Sequence, residues 1–366
     1  RIQVQYHRPT GCAAAWNHSR QLMSKSFRNR ALQNNKLATS MSNQETLQSL
    51  KKHVEQHIIG QENLVDRMLI ALLADGHLLV EGAPGLAKTK AIKVLSEGIE
   101  SNFHRIQFTP DLLPADLTGT EVYRPQDGSF AFQQGPLFHN LILADEINRA
   151  PAKVQSALLE AMAERQITVG RVTYQLPQLF MVMATQNPIE QEGTYPLPEA
   201  QLDRFLMHVT IDYPEASSEK AILALARDEA LDETPLASTT NSQARPRITQ
   251  QAIFEARREV LKLYMAENLE EYLLHMVLAT RNPGAYGDDL AQWSLYGASP
   301  RATIAIDRCA RAHAWLAGRD YVDPDDIQSI AYDVLRHRII LSYEAEAEGV
   351  TPDTFIKELI ARIAVP

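Results

Sequence analysis

Apolar residues at Leu47, Leu50, Val54 and Ile58 recur at the three-and-four spacing of one helical face and predict an amphipathic helix from about residue 45 that ends at Ile59, Gly60 and Gln61. The same periodicity predicts helices over 62–73 and 89–99. Apolar or alternating runs at 78–80, 103–108, 141–144, 179–185 and 205–211 predict five strands separated by helical or hairpin segments. Strands alternating with helices imply a parallel sheet covered on both faces. The run Leu141-Ile142-Leu143-Ala144 shows no alternation, the pattern of a central strand buried on both sides.

Two stretches interrupt the alternation and predict hairpins. One pairs 121–123 with 129–132 around a turn at 125–128, and the other spans 166–174 with its turn near Gly170. Beyond Tyr213-Pro214 the pattern turns to helices only, at 217–230, 249–265, 269–280, 300–317, 324–336 and 352–363. Ser299, Asp323 and Thr351 each precede a proline and are the predicted N-caps of the last three. The polar stretch 231–244 reads as an exposed linker.

Chemistry enters at Gly82-Ala83-Pro84-Gly85-Leu86-Ala87-Lys88-Thr89, a tight loop between a strand and a helix N-terminus. Backbone N–H groups and the helix dipole there suit phosphate, Lys88 can reach the β- and γ-phosphates, and the Thr89 hydroxyl can ligate Mg²⁺. Ala87 departs from the pattern G-x-x-x-x-G-K-[ST], so backbone freedom is expected from Gly85. Asp145 and Glu146 close an apolar strand at the end where parallel sheets bind ligands. Asp145 is expected to orient Mg²⁺ through water, and Glu146 to activate the water that attacks the γ-phosphorus. Asn187 ends another apolar strand, and if that strand lies between those of Lys88 and Glu146, its amide can reach the water or the γ-phosphate.

Composition narrows the class. The chain has 366 residues with 45% hydrophobic and 22% charged positions, the profile of a globular protein with room for two cores. No run has the uncharged length of a membrane span. Cys12 and Cys309 are its two cysteines, which points away from a disulfide framework or structural zinc and toward a reducing, cytoplasmic setting. Cys309, on an apolar helix face, is expected to be a small buried hydrophobe, and the His337-Arg338 pair a surface or packing element. The first 40 residues hold seven Lys or Arg and no acid, leaving 29 basic against 45 acidic residues, a net −16, in the remainder. That acidic body argues against a duplex-binding surface. The basic opening resembles a transit peptide or a nucleic-acid arm in composition, and is read here as a disordered or upstream extension, residues 1–41.

Taken together, Gly60-Gln61, Gly82–Thr89, Asp145-Glu146, Asn187 and Leu202-Asp203-Arg204-Phe205 resemble the AAA+ ATPases. The stretches 81–89, 143–150, 107–114, 185–188 and Gly297-Ala298-Ser299-Pro300-Arg301 are similar to the MoxR family, in which Ala before the Lys is usual. The resemblance implies an α/β P-loop NTPase domain with a parallel five-stranded sheet over 42–214, followed by an α-helical lid domain over 215–366. It implies ATP and Mg²⁺ as cofactors and a ring, commonly a hexamer, with nucleotide between subunits. Arg204 would then be the finger reaching the neighbour's γ-phosphate, Arg301 would touch its own subunit's nucleotide, and Arg149 would add an interfacial contact. Gly60 and Gln61, with Ile58 and Ile59, would wall the adenine. The work implied is chaperone-like assembly of partner complexes, often with a von Willebrand factor A domain protein. Two other readings are a nucleotide-dependent scaffold with slow turnover and a nucleic-acid motor.

Overall fold

The computed structural model describes residues 42–126, 128–188, 193–232 and 247–366. The basic opening segment, and all but the first two residues of the predicted linker at 231–244, lie outside these. Helices α1 (Asn43–His57) and α2 (Glu62–Leu73) lead into β1 (Leu78–Gly82), and α3 (Lys88–Glu97) follows the loop. Then come β2 (Phe103–Gln107), the short α4 (Pro114–Thr118), the hairpin β3 (Gly119–Arg124) and β4 (Ser129–Gln134), and β5 (Leu141–Asp145). Helix α5 (Ala152–Glu164), the hairpin β6 (Gln166–Val169) and β7 (Val172–Gln175), β8 (Met181–Gln186), α6 (Glu199–Leu202) and β9 (Met207–Ile211) complete the first half.

Strands β2, β5, β8, β1 and β9 form one parallel sheet in that order. Alternate side chains of each central strand serve two separate cores. Leu141, Leu143, Met181 and Met183 pack on one face with Leu78 and Val80, while Ile142, Ala144, Val182 and Ala184 pack on the other with Leu79. That double burial is why these strands carry no polar alternation. The two hairpins match the predicted positions, and the Phe132 ring stacks on Tyr174 at 4.1 Å, tying one hairpin to the other.

The second half contains α7 (Ala216–Asp232), α8 (Gln250–Lys262), α9 (Glu267–Arg281), α10 (Asp288–Trp293), β10 (Ser294–Tyr296), α11 (Pro300–Leu316), α12 (Pro324–Leu335), β11 (Ile340–Leu341), α13 (Tyr343–Ala347) and α14 (Pro352–Arg362). Ser299, Asp323 and Thr351 each accept a backbone N–H of the first turn, as their position before proline predicts. The expectation of helices alone is corrected by β10 and β11, which pair antiparallel across a long sequence separation. Two and three residues are too short for a period to register. Cys309 is fully buried against the other helices, and burial pushes its thiol up to about 12.

His77 locks the sheet to the helix on one face. The Val182 N–H donates to its Nδ1 at 3.0 Å, so Nε2 carries the proton and meets the Met162 carbonyl at 3.3 Å. Burial, and then the nearby Arg165, lower its pKa from 6.5 to about 4. A histidine held neutral in the folded state contributes stability that is complete above pH 6.5 and lost as pH falls toward 4. The stability gap between the parent and His77→Asn is therefore expected to narrow by about 3 kcal/mol between pH 7 and pH 4 in urea unfolding. A gap independent of pH would remove this role.

Candidate functional site

The strand order brings the C-terminal ends of β1, β8 and β5 side by side, with β8 in the middle. Lys88, Asn187 and the Asp145-Glu146 pair therefore converge from three neighbouring strands. The loop after β1 is anchored by Ala83 and Leu86, both buried, while Pro84 and Gly85 are exposed. Gly85 has φ +87°, as expected, yet Ala87 also takes the left-handed region at φ +56°. Gly85 supplies the expected freedom, and Ala87 adds a second left-handed position, carrying a Cβ where one costs roughly 1–2 kcal/mol. The first residues of α3, Lys88 to Lys90, line the cleft. Lys88 Nζ lies across the loop and donates to the Gly82 carbonyl at 2.6 Å. Burial lowers the Lys88 pKa, and Asp145, Glu146 and Glu81 oppose that fall.

The acidic pair is held by residues on both adjacent strands. Thr185 Oγ1, from β8, donates to Asp145 Oδ1 at 2.6 Å and accepts the Glu146 N–H at 2.9 Å. From β2, Arg105 Nη2 reaches Asp145 Oδ2 at 2.6 Å, and Gln107 Nε2 donates to Glu146 Oε2 at 2.8 Å. Glu146 sits at φ +57°, a left-handed conformation that ends the strand and opens the turn at 147–149. Arg149, expected at a subunit interface, here pairs through Nε with Glu146 Oε2 at 3.0 Å. The roles of Arg105, Gln107 and Thr185 were not foreseen. The register Gln107↔Asp145 is the signal that finds Arg105 and Gln107, the register Ala144↔Ala184 finds Thr185, and both require the strand order.

A cleft of about 400 Å³ runs along this edge, lined by residues 84–90 together with Arg105, Asp145, Glu146, Thr185 and Asn187. Thr89 and Asp145 face the same cleft. A hydroxyl and a carboxylate beside a phosphate-sized cradle are a donor set suited to Mg²⁺, which favours oxygen ligands and keeps several waters. A second, apolar pocket of about 130 Å³ adjoins the loop, sharing Gly85, Leu86, Ala87 and Lys90 with the cleft. Ile58, Ile59, Gln61, Pro214, Ile222 and Leu225 help to wall it. Gln61 Nε2 donates to the Asp212 carbonyl at 2.9 Å. Gly60, at φ +76°, lets the chain pass so close that a Cβ would stand 2.9 Å from Pro214 Cβ.

Arg204 and Arg301 border neither pocket. Arg204 Nη1 donates to the Leu159 carbonyl at 2.6 Å, within α5, and this is its side chain's one hydrogen bond among the described residues. Arg301, with its side chain 58% exposed, pairs with Asp203 at 3.3 Å. Asp203 also accepts from Ser299 and from Arg338, so Arg338 is a buried ion-pair partner, and of the two expectations for it packing holds and surface does not.

Comparison with known proteins agrees with this arrangement. Residues 77–207 match the family described as ATPase family associated with various cellular activities (AAA), and residues 294–359 match the AAA lid domain. Chaperone MoxR1 of Mycobacterium tuberculosis is 43% identical over 322 residues, covering 88% of this chain and 82% of that protein. Protein MoxR of Paracoccus denitrificans is 32% identical over 321 residues, covering 84% and 93%. A crystal structure from Cytophaga hutchinsonii superposes with a TM-score of 0.79 at 43% identity, covering 93% of this chain and 99% of that one. With the five-stranded parallel sheet and the helical lid in place, the chain belongs to the MoxR family of AAA+ ATPases.

Proposed function

We propose that this chain hydrolyses ATP in the cleft between the loop after β1 and the acidic pair. The observation that carries the reading is the convergence of Lys88, Thr89, Asp145, Glu146 and Asn187 on one cleft, beside an apolar pocket that suits a base. Bound Mg²⁺ would offset charge on the β- and γ-phosphates, held near Thr89 and Asp145. Lys88 would leave the Gly82 carbonyl and donate to those phosphates. Glu146, steadied by Gln107 and Arg149, would take the proton of the attacking water, and Asn187 would orient that water. Thr185 and Arg105 fix Asp145 in place.

Three further elements belong to the same proposal. Nucleotide lies between subunits of a ring, read as a hexamer, in which Arg204 acts on the neighbour's γ-phosphate. Arg301, which moves off Asp203, contacts the nucleotide of its own subunit. The energy drives chaperone-like assembly or remodelling of partner complexes in the cytoplasm, with a von Willebrand factor A domain protein as partner; a relative bears the name chaperone. No helix among the described residues is long and apolar enough to cross a membrane.

Lys88→Ala tests the cleft itself. Loss of a charge-assisted contact to phosphate is expected to weaken ADP binding on the order of 100-fold in calorimetric titration with Mg²⁺ present. A variant that binds ADP as the parent does would overturn the assignment of the loop.

A further inference from the structure

Arg338 stands at the end of the lid helix α12, far in sequence from the loop that carries Arg204, yet every one of its nitrogens is spent on or beside that loop. Nε donates to Asp203 Oδ1 at 2.8 Å, and Nη2 to the carbonyls of Phe205 at 2.6 Å and Asp203 at 3.2 Å. Nη1 donates to the Leu206 carbonyl at 3.2 Å and to that of Val334 on its own helix. Its side chain is 2% exposed. A planar fork with five donors satisfied in this way leaves the loop 203–206 little freedom relative to α12.

Asp203 gathers the rest of the lid. Its two carboxylate oxygens accept the Ser299 hydroxyl at 3.0 and 2.9 Å, while Ser299 also caps α11 by accepting the Arg301 N–H. Arg301 adds the loosest bond, 3.3 Å to Oδ2 from a mostly exposed side chain. The β10–β11 pair explains why these groups meet, because β10 runs directly into Gly297-Ala298-Ser299 and β11 begins just after Arg338. The Arg204 side chain, next in sequence to Asp203, makes a single bond, to the Leu159 carbonyl. The loop is therefore clasped from two sides, by the lid through Arg338 and Ser299, and by the sheet domain through the Leu206 N–H on the His77 carbonyl at 2.8 Å and the buried Phe205 ring.

We propose that Arg338, acting through Asp203, is a positioning residue that makes the lid of one subunit set the placement of Arg204 against the nucleotide of the next. Nucleotide that draws Arg301 from Asp203 removes one of the two cations on that carboxylate and leaves the Arg338 clamp whole, so a shift of the lid is felt by the finger loop at Asp203. Movement of the lid on its own nucleotide is thereby passed to the adjoining cleft. This inference rests on the reading of Arg204 as the finger.

The test uses full-length Arg338→Lys, which keeps the buried charge but cannot span five acceptors. ADP affinity is expected to stay within about twofold of the parent while kcat falls on the order of 10- to 100-fold, the scale of a catalytic group displaced by about an ångström. Mixed with Lys88→Ala subunits, whose finger and clamp are intact, Arg338→Lys subunits should regain turnover at hybrid interfaces. Parent-level kcat, a matching loss of ADP affinity, or no recovery in the mixture would overturn the proposal. The control mixture of Arg204→Ala with Lys88→Ala separates the two readings. If it recovers and the Arg338→Lys mixture does not, the clamp alone falls; if the control fails, the finger falls and the clamp with it. Should Arg338→Lys not fold, Asp203→Asn, which removes the charge and retains one acceptor for Nε, is put through the same measurements and judged by the same outcomes.

Discussion

Glu146→Gln is expected to bind ATP about as tightly as the parent and to turn it over roughly 10²- to 10⁴-fold more slowly, the usual worth of a placed general base. The amide matches the carboxylate in size and cannot take a proton. The backbone at residue 146 is held at φ +57° by its own N–H bond to Thr185, which does not depend on the side chain. Gln107 donates to Oε2 and would still find a carbonyl oxygen in the variant, so the side chain stays near its place. The Arg149 pair is lost, at a cost discounted by the partial exposure of both groups. Phosphate release under saturating ATP, set beside ATP binding, checks the result. Hydrolysis at the parent rate would reject Glu146 as the base and leave the cleft as a binding site only.

Arg204→Ala is expected to reduce kcat by roughly 10³- to 10⁵-fold, as removal of a guanidinium from a developing phosphoryl charge does in nucleotide hydrolases. Its structural cost is small by comparison, since the side chain contributes one hydrogen bond, to the Leu159 carbonyl. Binding of ADP, which the proposal places against Ile58, Ile59, Gln61 and residues 84–90, should barely change. The decisive feature is where the defect acts. Arg204→Ala subunits keep a complete cleft of their own and should turn over when an Arg204-bearing neighbour is supplied, as Lys88→Ala subunits would do. Measured over a series of mixing ratios, activity should pass through a maximum. A monotonic decline to zero would place Arg204 in its own subunit's chemistry or in the fold.

The phosphate loop, the acidic pair and the buried strands were legible from the chain itself, because each depends on neighbours a few residues away. A Gly-rich turn between a strand and a helix, two carboxylates closing an apolar run, and a polar residue ahead of proline at a helix start are all local events with local causes. The placement of Asn187 needed one further fact, the position of β8 between β1 and β5.

Ion-pair partners were not legible. With 36 Lys and Arg against 45 Asp and Glu, sequence permits many pairings of similar merit, and Coulomb attraction carries no address. Asp203 stands beside Arg204 in the chain yet bonds Ser299, Arg301 and Arg338, and Asp145 takes Arg105 from an adjacent strand. The sequence by itself determined the elements and the phosphate-binding chemistry, through periodicity and capping. The tertiary structure alone decided which charges meet and that the lid grips the loop bearing Arg204, because those contacts arise only when distant segments exclude water together.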